Sequence, residues 1–226
     1  MPPSRQNPLR PTPPEPTPPE PTPPEPTSPE PTSPKPTSPT GRSLGRGSRP
    51  RILAAAATLF GRQGFNATSV NDLRAEARVS KRTLYAQFVS KDALVLAYLA
   101  ESERTSPARS LLDREQLAPR ARLLELFTTI AERPRPLAPD PFIAAVIEFP
   151  DPGHPVHRAA VEQQLRFTSR LTELARAAGA TDPEQTAKRL ALLYNGTVTG
   201  ALLDNPTTVV AGAYALAAAI LREAIG

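Results

Sequence analysis

The stretch ATSVNDLRAEARVSKRTLYAQF, residues 67–88, reads as two short helices joined by a tight connection. Ser69 opens the first helix, because its hydroxyl can accept a free amide proton of the first turn. Asp72, three residues on, can reciprocate as in a capping box, with aspartate where glutamate is usual. Val70, Leu73 and Ala77 then fall on one helical face. Ser80 opens the second helix, with Lys81, Arg82 and Thr83 in its first turn and Leu84 and Phe88 as a buried i, i+4 pair. The connection holds Arg78, where a tight link normally uses glycine. If φ is positive there, a side chain costs on the order of 1 kcal/mol.

Upstream, RILAAAATLFGRQGF (51–65) carries Ile52, Ala56, Leu59 and Phe60 at helical spacing, with Gly64 as the expected stop. Downstream, Ser90 caps a further helix, KDALVLAYLAESE (91–103). One longer helix ahead of two short ones makes a helix-turn-helix module. Such a recognition helix offers its N-terminal turns to base edges, where its dipole also favours phosphate. The charge agrees. Residues 41–100 carry ten cations and three carboxylates, a net +7, whereas 1–40 and 101–226 each carry −1. Charge so localised is the footprint of a phosphate-backbone partner, although charge alone leaves a merely basic surface open.

The segment ILAAAATLFGRQGFNATSVNDLRAEARVSKRTLYAQFVSKDAL (52–94) resembles the DNA-binding domain of the TetR (tetracycline repressor) family of bacterial regulators. The family pattern runs IL-x-AA-x-x-LF-x-x-x-GF-x-x-TSV-x-DIA-x-x-AGVSKGTLY-x-HF-x-SKE-x-L. The resemblance implies that 80–88 reads a double-stranded DNA operator, with Lys81, Arg82 and Thr83 at or beside the bases. It implies that Tyr85 and Gln87 hold the phosphate backbone, Lys91 a phosphate at the next helix start, and Thr68 another. Packing alone is the other reading of Tyr85. Gln87 replaces the usual histidine, Arg74 a small alanine, and Arg78 the turn glycine. Arg74 and Arg78 stand at i, i+4 and can share a face, which makes Arg78 a further DNA-binding candidate.

The chain's first fifth differs. Eighteen of the 30 prolines lie in residues 1–40, and 11–40 are six pentapeptides from PTPPE to PTSPT. Proline fixes φ and removes donors, so an extended, disordered tail is expected, with a PxxP ligand as the alternative. TGRSLGRGSR (40–49) reads as a flexible basic arm. The expected organisation is a Pro-rich repeat and arm over 1–48, the DNA-binding domain over 49–97 and a helical ligand-binding and dimerisation domain over 98–226.

Beyond residue 103, helices are expected at 119–132, 141–149, 154–178, 183–203 and 207–225, and no alternating β-branched run suggests a strand. The fold class is all-α. By resemblance the last two helices, 183–225, pair with a two-fold mate, giving a homodimer on a palindromic operator. A small hydrophobic effector is expected between the helices. Its candidate contacts are Phe127, Ile130, Phe142, Val146, Phe149, Phe167 and Tyr194, with Asn195 as a polar handle. Core packing is the alternative for each.

No cysteine is present, which points to a reducing cytoplasm. The longest apolar run, residues 209–221, is too short to span a bilayer and reads as a buried helix, so no membrane is expected. His154 and His157 lack a placed carboxylate or thiol, so neither metal nor cofactor is expected. Without paired carboxylates, nucleophile elbow or phosphate loop, no enzyme is expected. A small helical enzyme and an adaptor using the Pro-rich tail are the rival readings.

Overall fold

The computed structural model describes residues 47–133 and 137–226. The Pro-rich repeat, and the basic arm up to residue 46, lie outside the described residues. The described residues form helices and connecting turns, with no strand among them.

Helix α1 (Ser48–Ala67) starts three residues earlier than its apolar spacing announced, so Ser48 and Arg49 are helical and not part of an arm. Gly64 interrupts it at φ 82, ψ 175, which is the stop expected of that glycine. α2 (Val70–Glu76) begins with the complete Ser69–Asp72 capping box. α3 (Lys81–Gln87) and α4 (Lys91–Arg104) are capped by Ser80 and Ser90, whose hydroxyls accept from the N–H groups of Thr83 and Ala93. Ile52, Leu59, Leu73, Leu84, Phe88 and Leu94 close one core beneath these four helices.

α5 (Pro107–Leu112) was not anticipated; Ser106 followed by Pro107 is its start signal, a hydroxyl cap ahead of proline at N1. The expected helix over 119–132 is two, α6 (Pro119–Glu125) and α7 (Thr128–Ala131). Thr128 and Thr129 hydroxyls donate to the Glu125 and Leu126 carbonyls, both at 2.7 Å, in competition with the helical ladder. The backbone tightens there, with Phe127 N–H donating to Leu124 and Ile130 N–H to Phe127.

α8 (Pro141–Glu148), α9 (Pro155–Ala177), α10 (Pro183–Leu203) and α11 (Pro206–Ile225) follow the expected bounds closely. α9 is the central strut, touching α4, α6, α8 and α10. α10 and α11 form an antiparallel hairpin: Gly200 lets Val209 approach, and Arg189 holds Glu223 with two hydrogen bonds. α11 corrects the reading of its apolar run. It is 20 residues long, enough by length and composition to cross a membrane, and only 28% of its most apolar window is buried. Val210, Ala213, Ala217 and Leu221 face the chain's own core, while Tyr214 and Leu216 face outward.

The described residues belong to one compact unit. The core under α1–α4 runs on without a break into Ala145 of α8 and Val156 and Ala160 of α9.

Candidate functional site

The recognition element is built by opposition of faces. Leu84 (1% exposed) and Phe88 (3%) anchor α3 from below, so Lys81, Arg82 and Tyr85 stand exposed on the other side. Lys81 and Arg82 carry no ion pair among the described residues. The Thr83 hydroxyl lies 2.8 Å from that of Ser80, which ties it into the cap. Arg49 of α1 steadies the far end of α3: its guanidinium lies 4.5 Å over the Phe88 ring and donates to the Gln87 carbonyl at 3.4 Å. Arg49 was missed because nothing in its own neighbourhood points to a ring 39 positions away. Lys91 is half-buried at the start of α4, its ammonium 3.4 Å from the Asn66 carbonyl.

Two expectations change. Thr68 is fully buried and its hydroxyl donates to the Gly64 carbonyl at 2.7 Å, so it closes the α1–α2 junction and is not presented to phosphate. Arg78 has φ 51, the only non-glycine residue with positive φ among those described. Its side chain is exposed beside the groove between α1 and α2, with Arg62, Asp72 and Glu76. Arg74 is not among the residues bordering that groove; its guanidinium donates to the Asn71 side chain at 3.2 Å.

The second half holds a cavity of about 220 Å³ between α4, α5, α9 and α10. Phe167, Tyr194 and Asn195 line it as expected. Its other walls are charged: Glu103, Arg109, Arg166 and Arg170. Arg166 grips Glu103 with two hydrogen bonds at 3.0 and 3.2 Å, and Arg170 Nε is buried without a hydrogen-bond partner. A neighbouring cavity of about 240 Å³ shares Ser106, Asp140 and Tyr194 with the first and adds Phe142. Burial, and then the nearby Asp140 carboxylate, push the Tyr194 phenol up to about 12, so it stays protonated.

Phe142, Val146 and Asn195 also line an apolar groove on the outer side of α8–α10. Two candidates belong elsewhere. Phe127 is fully buried in the core, edge-on to Tyr194. Phe149 packs on Phe65 and stacks with His154 at 4.8 Å, joining the α1–α4 core. Ile130 is likewise core. His154 reaches Asp92 and His157 the Phe149 carbonyl, so both histidines serve the join between α4, α8 and α9.

A basic, exposed recognition helix on a buried anchor defines a helix-turn-helix DNA-binding protein. Residues 52–98 match the family described as "Bacterial regulatory proteins, tetR family". A TetR-family transcriptional regulator from Streptomyces coelicolor superposes at TM-score 0.74 with 29% identity, covering 79% of this chain and 96% of that one. A TetR-type regulator from Streptomyces avermitilis does so at 0.63 with 30% identity, covering 74% and 98%. HTH-type transcriptional regulator YjdC of Escherichia coli (strain K12) is 36% identical over 83 residues, 37% of this chain. That match spans 44% of YjdC, so the chain matches less than half the length of this curated relative. The chain belongs to the TetR family of transcriptional regulators. Its relatives are regulators, and the enzyme reading is set aside on that ground.

Proposed function

We propose that this chain is a cytoplasmic, homodimeric repressor that reads a palindromic operator and leaves it when a small molecule fills the α4–α10 cavity. The observation that carries the DNA half is the exposed first turn of α3. Lys81 and Arg82 project there without ion-pair partners among the described residues, on a helix whose opposite face is buried. In this reading Lys81, Arg82 and Thr83 meet bases, Tyr85, Gln87 and Lys91 meet phosphates, and Arg78 adds a phosphate contact from the turn. Residues 49–97 act as the reader, 98–226 as the regulatory and dimerisation part, and no membrane is involved.

The dimer reading rests on unpaired apolar surface. Leu192, Gly196, Thr199 and Leu203 form one exposed stripe along α10, with Leu203 at 84% exposure, and Tyr214 and Leu216 are exposed on α11. Exposed apolar surface of this kind marks an interaction site. The effector reading is sharpened by the charged walls. Phe167 and Tyr194 offer aromatic faces, while Arg170 Nε would gain the partner it lacks from a ligand acceptor. An amphipathic effector fits better than a purely hydrophobic one.

Release requires the ligand to bind one arrangement of the subunits better than the DNA-compatible one. The test is binding of the full chain to the DNA flanking its own gene, against random duplex, across a salt titration. Selective binding that weakens steeply with salt is expected; equal affinity for both duplexes at low salt would overturn the proposal.

A further inference from the structure

Glu148 ends α8, yet its carboxylate is committed to the end of α1. Gly64 breaks the α1 ladder, so the next two N–H groups need acceptors outside the helix. Each meets one carboxylate oxygen: Phe65 N–H donates to Oε1 at 3.0 Å and Asn66 N–H to Oε2 at 2.6 Å. The Asn66 side-chain amide donates back to the Glu148 carbonyl at 3.0 Å. Glycine suits position 64 on two counts: φ 82 with ψ 175 is a conformation that side chains avoid, and a Cβ there would lie 2.6 Å from Oε1 and force the carboxylate to shift. On the other side of the same residue, Lys91 reaches the Asn66 carbonyl at 3.4 Å. One short segment thus ties a carboxylate of the second half to a cation that the proposed function sets on phosphate. Four residues beyond Asn66, α2 begins.

The other end of α8 borders the cavities. Asp140 caps α8, accepting from the N–H groups of Phe142 and Ile143 at 2.9 and 3.2 Å, and lines both cavities beside Tyr194. At 1.5 Å per residue, the eight residues of α8 span about 12 Å. That is two turns, too short to bend, and Ala145 at its middle is fully buried in the α1–α4 core.

We infer that Glu148 is a positioning residue for DNA binding: it fixes the α1–α2 junction, and with it the placement of α2 and α3, to α8. This rests on the DNA-binding reading above. The junction is held to α8 because hydrogen bonds to an ionised carboxylate are short and about twice as strong as neutral ones.

The experiment uses the full chain with Glu148→Gln, and Glu162→Gln as an exposed control on α9. Affinity is measured for the selected duplex and for a scrambled one of equal length, with thermal midpoints alongside. Glu148→Gln is expected to lower selective affinity about tenfold, within the usual range of coupling between sites. Affinity for scrambled DNA and its salt slope should stay put, because Lys81, Arg82 and Lys91 are unaltered. An unchanged ratio of selective to scrambled affinity overturns the inference. If the variant folds poorly, amide exchange in the wild-type chain decides: Phe65 and Asn66 N–H should slow further when the selected duplex binds, and unchanged exchange overturns the role. If the wild-type chain selects no duplex, the regulator reading falls and the role of Glu148 falls with it. Selective wild type with an unaltered variant removes Glu148 alone.

Discussion

Arg78 holds φ 51, where a Cβ crowds its own backbone, and it does so because the turn from α2 to α3 needs that conformation. Glycine would adopt it without strain. Arg78→Gly should therefore stabilise the chain by about 1 kcal/mol, or roughly 2–4 °C in thermal midpoint for a domain of this size. The same substitution should lower the salt slope of DNA binding by about one, as loss of one phosphate contact does. An unchanged slope would mean that the guanidinium stays in the groove with Asp72 and Glu76. Thr68 carries the opposite lesson: a hydroxyl that sequence places at the helix entrance is turned inward once Gly64 reverses the chain and offers its carbonyl.

At the scale of the element, α2 shows how a short helix is held at its start. Seven residues are too few to be stable alone. The Ser69 hydroxyl and backbone N–H both donate to Asp72, at 2.7 and 3.0 Å, and hold its carboxyl below the usual carboxylate range. Because the folded group binds its proton less readily than the unfolded one, the contribution is complete above about pH 4 and is lost as pH falls through the lower folded value. Unfolding followed from pH 5 to pH 2.5 should show this loss, and Asp72→Asn should flatten that part of the profile. If the variant keeps the wild-type profile, the cap does not couple to folding. The capping box, the serine caps of α3 and α4 and the bounds of α8–α11 were legible because each depends on residues within a turn or two. The split of α6 from α7 was not, because it turns on which threonine hydroxyls win carbonyls from the ladder.

At the scale of the whole molecule, the hairpin of α10 and α11 leaves large apolar side chains exposed on both helices. Leu203, 84% exposed, belongs to the stripe that a second copy would cover. If the proposed dimer forms through this stripe, Leu203→Glu should leave a monomer in light scattering and cost most of the operator affinity, since a monomer engages one half-site. A variant that remains dimeric would move the interface elsewhere. Leu203→Ala should weaken the dimer less, because it removes apolar area without burying a charge.

What the sequence determined by itself was local. The caps and the buried i, i+4 pairs made residues 52–94 a helix-turn-helix module, the +7 charge of residues 41–100 pointed to a phosphate partner, and the resemblance to the TetR pattern joined the two, since each signal acts within a few residues or adds along the chain. Tertiary structure alone decided the rest. It took Phe127 and Phe149 out of the cavity, lined that cavity with ion pairs, drew Arg49 onto Phe88 and brought Glu148 to the backbone of Phe65 and Asn66. An aromatic or a carboxylate carries no local mark of which surface it will meet, and only the packing of α8 against α1 gave Glu148 two amides to hold.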